Sequence, residues 1–206
     1  MEKIAAIAST LKFDKGEMIF HEGDKGDGFY MVDKGKIKVF KLSFDGKEQI
    51  LHIYGPGHIF GEVPAFEGKN FPASSMALEK ATILFLPRDK FVRLITSTPG
   101  LSMNMLADLS RRLREFTVQI ENLSLKEVPA RLAAYILTLS KEQKNERQVT
   151  LPISKAQLAN LIGTTPETVS RILKKMMTSS FIDVQTKIIL IKDLQGLLDL
   201  SESGRL

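Results

Sequence analysis

The chain has 206 residues, of which 43% are hydrophobic and 26% charged, and its 29 Lys and Arg exceed its 24 Asp and Glu by five. It contains no cysteine, which excludes disulfides, thiolate catalysis, cysteine-type zinc fingers and cysteine-ligated iron–sulfur clusters. The sequence contains no run of eighteen apolar residues, so it predicts no transmembrane helix. Met1–Leu11 lacks the pattern of a signal peptide. We therefore expect a cytoplasmic protein without a membrane partner.

The positive charge is unevenly distributed along the chain. Residues 1–128 carry 18 basic and 17 acidic side chains, whereas residues 129–206 carry 11 basic and 7 acidic ones. An excess of four cations in a short segment favours a polyanionic partner for that segment. The alternative is a solvated surface that carries the extra cations without any ligand.

Residues 11–86 are divided by glycines into short segments of alternating polarity. The segments Lys36–Phe40 and Gln49–Tyr54 have the period of a half-buried strand, and Asp45-Gly46 between them predicts a tight hairpin turn. Glu17–Phe20 and Phe29–Val32 are two further predicted strands. Short strands with glycine turns at this spacing predict an antiparallel β-roll.

From Pro99 to Ser124 the apolar residues recur at alternating spacings of three and four, which is the heptad pattern of a helix seam. A narrow seam fits a partner helix better than a broad domain core, so we predict that this helix dimerises. A long helix packed on its own domain is the alternative. The predicted seam residues are Leu106, Leu109, Leu113, Phe116, Ile120 and Leu123.

The segment from residue 153 to residue 175 has the pattern of two helices joined by a tight turn. Ser154 and Gln157 form a capping-box pattern, Gly163 permits the turn, and Thr165 is a good N-cap for the second helix. The predicted organisation is therefore a β-roll over residues 1–98, a dimerisation helix over 99–124, a hinge over 125–128 and a helix-turn-helix domain over 129–206. The fold class is α+β.

The outward face of the second helix carries side chains suited to reading DNA. Arg171 can donate two hydrogen bonds to guanine, Glu167 can accept from the amino group of cytosine, and Ser170 lies beside them. The short strands Phe181–Val184 and Ile188–Ile191 then predict a wing. The alternative is a small packed domain in which Arg171 and Glu167 form only a surface ion pair. Predicted contacts with the DNA backbone are Ser154, Lys155, Thr165, Thr168, Lys174 and Lys175.

This order of β-roll, long helix and winged helix-turn-helix resembles the CRP/FNR family of bacterial transcription regulators over nearly the whole chain. The resemblance implies a cyclic-nucleotide-binding-like jelly roll and a homodimer on an inverted repeat of double-stranded DNA, with RNA polymerase as a further partner. It also implies that Glu167, Ser170 and Arg171 read TTGA-type half-sites. The matching segments are Lys15-Gly16-Glu17, Glu22-Gly23-Asp24, Gly35-Lys36-Ile37, Pro56-Gly57-His58-Ile59-Phe60-Gly61-Glu62 and Pro166-Glu167-Thr168-Val169-Ser170-Arg171.

The resemblance also implies a pocket for a small effector in the roll. In cyclic-nucleotide members a Gly-Glu pair and an arginine about ten residues later hold the ribose and the phosphate. Here Gly61-Glu62 matches the pair, but Phe71 has the arginine position and the nearest basic residue is Lys69. A buried cyclic phosphate would lack its cation, so we expect a different effector. The predicted pocket residues are Gly61, Glu62, Phe71, Ala73 and Ser74.

Within the family, Leu123-Ser124-Leu125-Lys126, Arg131 and Tyr135-Ile136-Leu137 resemble the cysteine-poor regulators of nitrate respiration and of the hybrid-cluster protein. That branch implies a sensor of nitrosative stress that binds haem and responds to nitric oxide. His21, His52, His58 and several methionines could supply an axial ligand, but no spacing selects one. The cofactor is therefore left open.

Two other classes of function are alternatives to DNA binding. His52, His58 and Glu62 lie near one another in the predicted roll, as the ligands of a metal-dependent cupin enzyme do, but the usual His-x-His spacing is absent. No Ser-His-Asp arrangement, P-loop or dinucleotide fingerprint is present either, so we predict neither an enzyme nor a metal site. The other alternative is an effector-binding module whose winged helix contacts protein.

Overall fold

The computed structural model describes residues 6–204 of the chain. Residues 1–5, part of the segment expected not to be a signal peptide, and residues 205–206 lie outside the described residues. The chain divides into two compact units, Met1–Ser110 and Arg111–Leu206. Among residues 6–204, none of the helices is long and apolar enough to cross a membrane. Antiparallel sheets in both units, together with helices, confirm the α+β class.

Two antiparallel sheets of four strands make up the strand-rich part of the N-terminal unit and confirm the predicted roll. The first sheet has the order β1-β8-β3-β6, with β1 (Ser9–Phe13), β8 (Ala81–Pro87), β3 (Gly28–Lys34) and β6 (Ile59–Phe60). The second has the order β2-β7-β4-β5, with β2 (Met18–Phe20), β7 (Ser74–Ala77), β4 (Ile37–Leu42) and β5 (Glu48–Tyr54).

The turn between β4 and β5 is the hairpin predicted at Asp45-Gly46. Gly46 has a φ of +80°, a left-handed conformation that glycine adopts without steric penalty. The Ser43 N–H donates to the Lys47 carbonyl at 2.9 Å and closes the loop. The local sequence therefore determines this turn.

The core of the roll lies between its two sheets, because each sheet turns alternate apolar side chains inward. Phe20 and Ile37 enter it from the second sheet, and Val32 and Ile83 from the first. Aromatic rings dominate this core. The ring centroids of Tyr30 and Phe60 are 5.3 Å apart, and those of Phe20 and Phe60 are 6.1 Å apart.

Helices close one part of the N-terminal unit through a second apolar cluster. The short α1 (Val63–Glu67) and α2 (Arg88–Thr96), neither of which was predicted, supply Ala65 and Phe91 to it. The ring of Phe91 meets that of Phe29 edge-on at a centroid distance of 4.6 Å. The next helix, α3 (Pro99–Leu125), covers the residues predicted to form the dimerisation helix.

The C-terminal unit holds the remaining elements: α4 (Val128–Glu142), β9 (Gln148–Thr150), α5 (Lys155–Ile162), α6 (Pro166–Thr178), β10 (Ile182–Gln185), β11 (Ile188–Ile191) and α7 (Leu194–Ser203). The strands form one antiparallel sheet in the order β10-β11-β9, and α7 packs against α4. Neither β9 nor α7 was predicted. Only Lys126 and Glu127 separate α3 from α4, within the predicted hinge. The predicted domain boundaries remain predictions.

Close packing of the first sheet can be tested at Gly28 in β3. A Cβ added there would overlap the carbonyl oxygen of Leu86 and lie 2.7 Å from the ring of Phe85. Gly28→Ala should therefore lower the free energy of unfolding by about 2 kcal/mol, measured by denaturant titration. Gly55→Ala is the control, because a Cβ at Gly55 meets no atom within 4 Å. Equal unfolding midpoints for the two variants would contradict this account.

Candidate nucleic-acid interface

The predicted helix-turn-helix consists of α5, α6 and the turn between them. The Ser154 hydroxyl accepts from the Gln157 backbone N–H at 3.2 Å, and the Gln157 side chain accepts from the Ser154 N–H at 2.9 Å. This reciprocal pair confirms the capping box. After α5, Gly163 has a φ of +70°, and its left-handed conformation turns the chain directly toward α6.

The first turn of α6 is fixed by its own side chains. Thr165 is the N-cap, as predicted, and its hydroxyl oxygen accepts from the Thr168 backbone N–H at 3.3 Å. The hydroxyl oxygens of Thr165 and Thr168 lie 3.2 Å apart. Pro166 has the first helical position, where a missing N–H leaves no bond unmade. The orientation of the helix start therefore follows from local sequence.

One face of α6 is buried and the other is polar. Four apolar side chains are buried: Val169, Ile172, Leu173 and Met176 are at most 4% exposed. Glu167, Ser170, Arg171 and Lys174 are exposed, and their spacing puts them on one side of the helix. Of the other residues predicted to contact the DNA backbone, Thr168 is half-buried, whereas Ser154, Lys155, Thr165 and Lys175 are exposed.

The carboxylate of Glu167 is kept ionised by its position. Its own backbone N–H and the Thr165 hydroxyl donate hydrogen bonds to it, and these lower the pKa of Glu167. Near neutral pH the exposed side chain is therefore a hydrogen-bond acceptor only. Within residues 6–204, Arg171 and Glu167 form no ion pair with each other. Arg171 keeps its donors available for an external acceptor.

The wing differs slightly from its prediction. Its strands are β10 and β11, and Thr186 in the turn between them has a φ of +57°. The first strand begins at Ile182, one residue later than predicted. The reason is that the Phe181 N–H donates to the Met176 carbonyl at 3.0 Å and so belongs to the end of α6.

Arg131 is a positioning residue that sequence reasoning recognised only as part of a family resemblance. Its Nε donates to the Lys126 carbonyl at 2.8 Å, and its Nη1 donates to the Ile162 carbonyl at 3.0 Å. Carbonyl oxygens at helix C-termini lack intrahelical partners and carry partial negative charge. The guanidinium thereby connects the segment before α4 to the end of α5.

The predicted effector residues lie in the N-terminal unit, and the structure brings several of them together. The Phe71 ring is buried, and a Cβ added to Gly61 would lie 3.2 Å from it. Ala73 and Ser74 are also buried, and the Ser74 hydroxyl accepts from the Glu22 N–H at 2.9 Å. Glu62 is half-buried just before α1. Their predicted role as a pocket remains a prediction.

The histidines do not form a metal site. Within residues 6–204, no group of three or more His, Asp or Glu side chains could hold a metal ion. His52, His58 and Glu62 therefore do not reproduce the ligand set of a cupin enzyme. The His52 ring lies 4.3 Å from that of Tyr54, and the Nδ1 of His58, an exposed residue, lies 3.2 Å from the Gly55 carbonyl oxygen.

The apolar seam predicted on α3 is largely uncovered. Leu106, Leu113 and Ile120 are each more than half exposed, Leu109 and Phe116 are exposed to 37% and 40%, and Leu123 is half-buried. Heptad positions return to the same face of a continuous helix. A stripe of this length is more than the scattered single apolar residues of an ordinary surface.

Known families match both units. The Cyclic nucleotide-binding domain matches residues 10–98, and the Crp-like helix-turn-helix domain matches residues 130–200. With the capped helix pair and the roll described above, these matches define a transcription regulator with a DNA-binding helix-turn-helix. The chain is 30% identical to the CRP-like cAMP-activated global transcriptional regulator of Mycobacterium tuberculosis. The alignment covers 94% of this chain and 90% of that protein. The chain belongs to the CRP/FNR family.

Two further comparisons agree with this assignment. The chain is 31% identical to the Anaerobic regulatory protein of Haemophilus influenzae, over 93% of the chain and 76% of that protein. Its fold is similar to that of FixK2 from Bradyrhizobium japonicum, with a TM-score of 0.84 and 23% identity over 96% of this chain and 98% of that one. The family predicted from the motifs is thus confirmed, whereas the nitric-oxide-responsive branch is not.

The capping role of Thr165 can be measured directly. Thr165→Val removes the acceptor for the Thr168 N–H and should lower the free energy of unfolding by about 1 kcal/mol in a denaturant titration. Thr138→Val is the matched control, because the Thr138 hydroxyl is exposed and only donates to the Ala134 carbonyl of its own helix. If both variants unfold at the wild-type midpoint, Thr165 does not stabilise the helix start.

Proposed function

We propose that the chain is a homodimeric transcription regulator that binds an inverted repeat with TTGA-like half-sites. We propose further that a small effector acts on it through the β-roll. The observation that carries the proposal is the exposed polar edge of α6, formed by Glu167, Ser170 and Arg171, opposite a buried apolar face. In a helix-turn-helix the second helix enters the major groove with its N-terminal residues against base edges.

The chemistry of the three edge residues supports base reading. Arg171 presents a planar set of donors that matches O6 and N7 of guanine, and the ionised Glu167 accepts from the amino group of cytosine. Ser170, one helical turn from Pro166, adds a short group that can donate or accept. The three side chains together suit a half-site that contains a G·C pair.

The flanking residues support contacts with phosphates. Lys174 and Lys175 follow the reading edge along α6, and Ser154 and Lys155 are exposed at the start of α5. Backbone contacts fix the register of a protein on the duplex and make affinity depend steeply on salt. A module whose winged helix binds only protein would show no DNA affinity that falls steeply with salt concentration.

The exposed seam on α3 supports a dimer. A second copy of α3 would cover the same stripe, and a two-fold dimer presents two α6 helices to half-sites about one helical turn apart. An effector would then act by shifting the population between arrangements of the hinge at residues 125–128. As a regulator of transcription the dimer would have RNA polymerase as a further partner.

Haem and nitric oxide are the effectors implied by the resemblance to the nitrate-respiration branch. The residues present do not fit a haem in this arrangement of the roll. His52 is the histidine that is half-buried, and the space beside it holds Tyr54, whose ring lies 6.0 Å from that of Phe60. His21 and His58 are exposed.

Arg171 is the residue to change first. With Arg171→Ala, in-vitro selection of DNA sites should lose the TTGA-like half-site that wild type enriches, because a bidentate contact discriminates bases by about 1–3 kcal/mol. Salt-dependent, non-specific binding should persist. Arg147→Ala, an exposed arginine before β9, is the control and should select the wild-type site. If Arg171→Ala still selected that site, the assignment of the reading residue would be wrong.

The dimer seam can be tested by burying a charge in it. Leu113→Glu or Ile120→Glu should convert the dimer to a monomer in sedimentation experiments, since two carboxylates would face each other in the seam. Val118→Glu is the control, because Val118 is 54% exposed on the same helix but lies outside the heptad positions. A Leu113→Glu protein that remained dimeric at low concentration would exclude this interface.

A further inference from the structure

The ring of Phe71 lies where the family resemblance expects the arginine that holds a cyclic phosphate. It is 4% exposed and stacks face to face on Phe20, with a centroid distance of 3.9 Å and an interplanar angle of 10°. Tyr30 lies beside the pair, with its ring centroid 6.3 Å from that of Phe71. The space around Phe71, which we call the effector niche, is therefore filled by aromatic rings of the chain itself.

Two glycines shape the space around this ring. A Cβ on Gly26 would lie 2.7 Å from the Cζ of Phe71, and a Cβ on Gly61 would lie 3.2 Å from its Cε1. The backbone on both sides thus approaches the ring to contact distance. Any ligand that used the same space would have to take the place of the Phe71 ring.

The backbone of Phe71 is anchored as well. Its carbonyl accepts from the Gly23 N–H at 2.9 Å, and its N–H donates to the Asp24 carbonyl at 3.0 Å. The Asn70 side chain donates to the Gly23 carbonyl at 2.8 Å. These hydrogen bonds connect the loop before β3 to the segment before β7 and fix the backbone from which the Phe71 ring projects.

Two of the nearby cations are already paired with carboxylates. Lys69, the basic residue closest in sequence, pairs with Glu67 at 2.8 Å and is largely exposed. Lys41 pairs with Glu22 and also donates to the Pro72 carbonyl at 3.1 Å. A cyclic phosphate at Phe71 would exchange water for aromatic carbon without gaining a buried cation, and that transfer is unfavourable.

We propose that Phe71 is the internal occupant of the effector niche. Its ring fills the space that a ligand would need and thereby excludes cyclic nucleotides. The proposal rests on the proposed role of the roll as the effector-binding unit. It separates this chain from its Mycobacterium tuberculosis relative, which is named as cAMP-activated.

The test measures thermal unfolding of the full chain, without DNA, in the presence of cyclic AMP, cyclic GMP or benzene. Wild type should show no shift with any of the three. Phe71→Ala should melt about 10 °C lower, because it leaves a cavity of phenyl size. Benzene should restore part of that loss, whereas neither nucleotide should. Phe44→Ala, at a fully exposed hairpin tip, is the control and should melt like wild type without a response to benzene.

Each contrary result overturns the proposal. Stabilisation of wild type by a millimolar cyclic nucleotide would show that the niche opens to it. A Phe71→Ala protein that melts like wild type, or that gains no stability from benzene, would show that the ring does not fill the niche. If Phe71→Ala fails to fold, Phe71→Leu serves, and its melting temperature must fall by several degrees. Because no arm contains DNA, a failure of DNA recognition leaves these outcomes unaffected.

Discussion

The rotation of α6 about its own axis is the constraint on which the DNA-binding surface depends. Val169, Ile172, Leu173 and Met176 are buried, and their spacing covers a single face of the helix. Because that apolar face packs in the core of the C-terminal unit, the polar residues on the opposite face of α6 must face the solvent. Glu167 and Arg171 are exposed for this reason.

Two helices of this protein, α3 and α4, differ in how much of their apolar surface is buried. α4 buries Leu132, Ala133 and Ile136 completely within its unit. α3 instead leaves an apolar stripe at heptad spacing in contact with water, where every 100 Å² disfavours the isolated chain by about 2.5 kcal/mol. The proposed second copy of the chain would cover this stripe, which has the width of one helix.

Local chemistry made much of the helix-turn-helix predictable. The cap at Ser154, the left-handed Gly163 and the N-cap at Thr165 each depend on residues within four positions, and all three were read correctly. β9 was not predicted, because a three-residue strand with one buried valine is too short to show the alternation of polar and apolar residues that marks a strand. The stack of Phe20 on Phe71 was also invisible, because it joins residues 51 positions apart through the closure of the roll.

Arg131 restrains the segment between α3 and α4. A guanidinium is rigid and planar, and this one bonds the Lys126 carbonyl and the Ile162 carbonyl at the same time. The Lys126 N–H also donates to the Asn122 carbonyl of α3 at 3.3 Å. Lys126 is therefore hydrogen-bonded to α3 on one side and, through Arg131, to the end of α5 on the other. The short connector between α3 and α4 thus resists bending although it has only two residues.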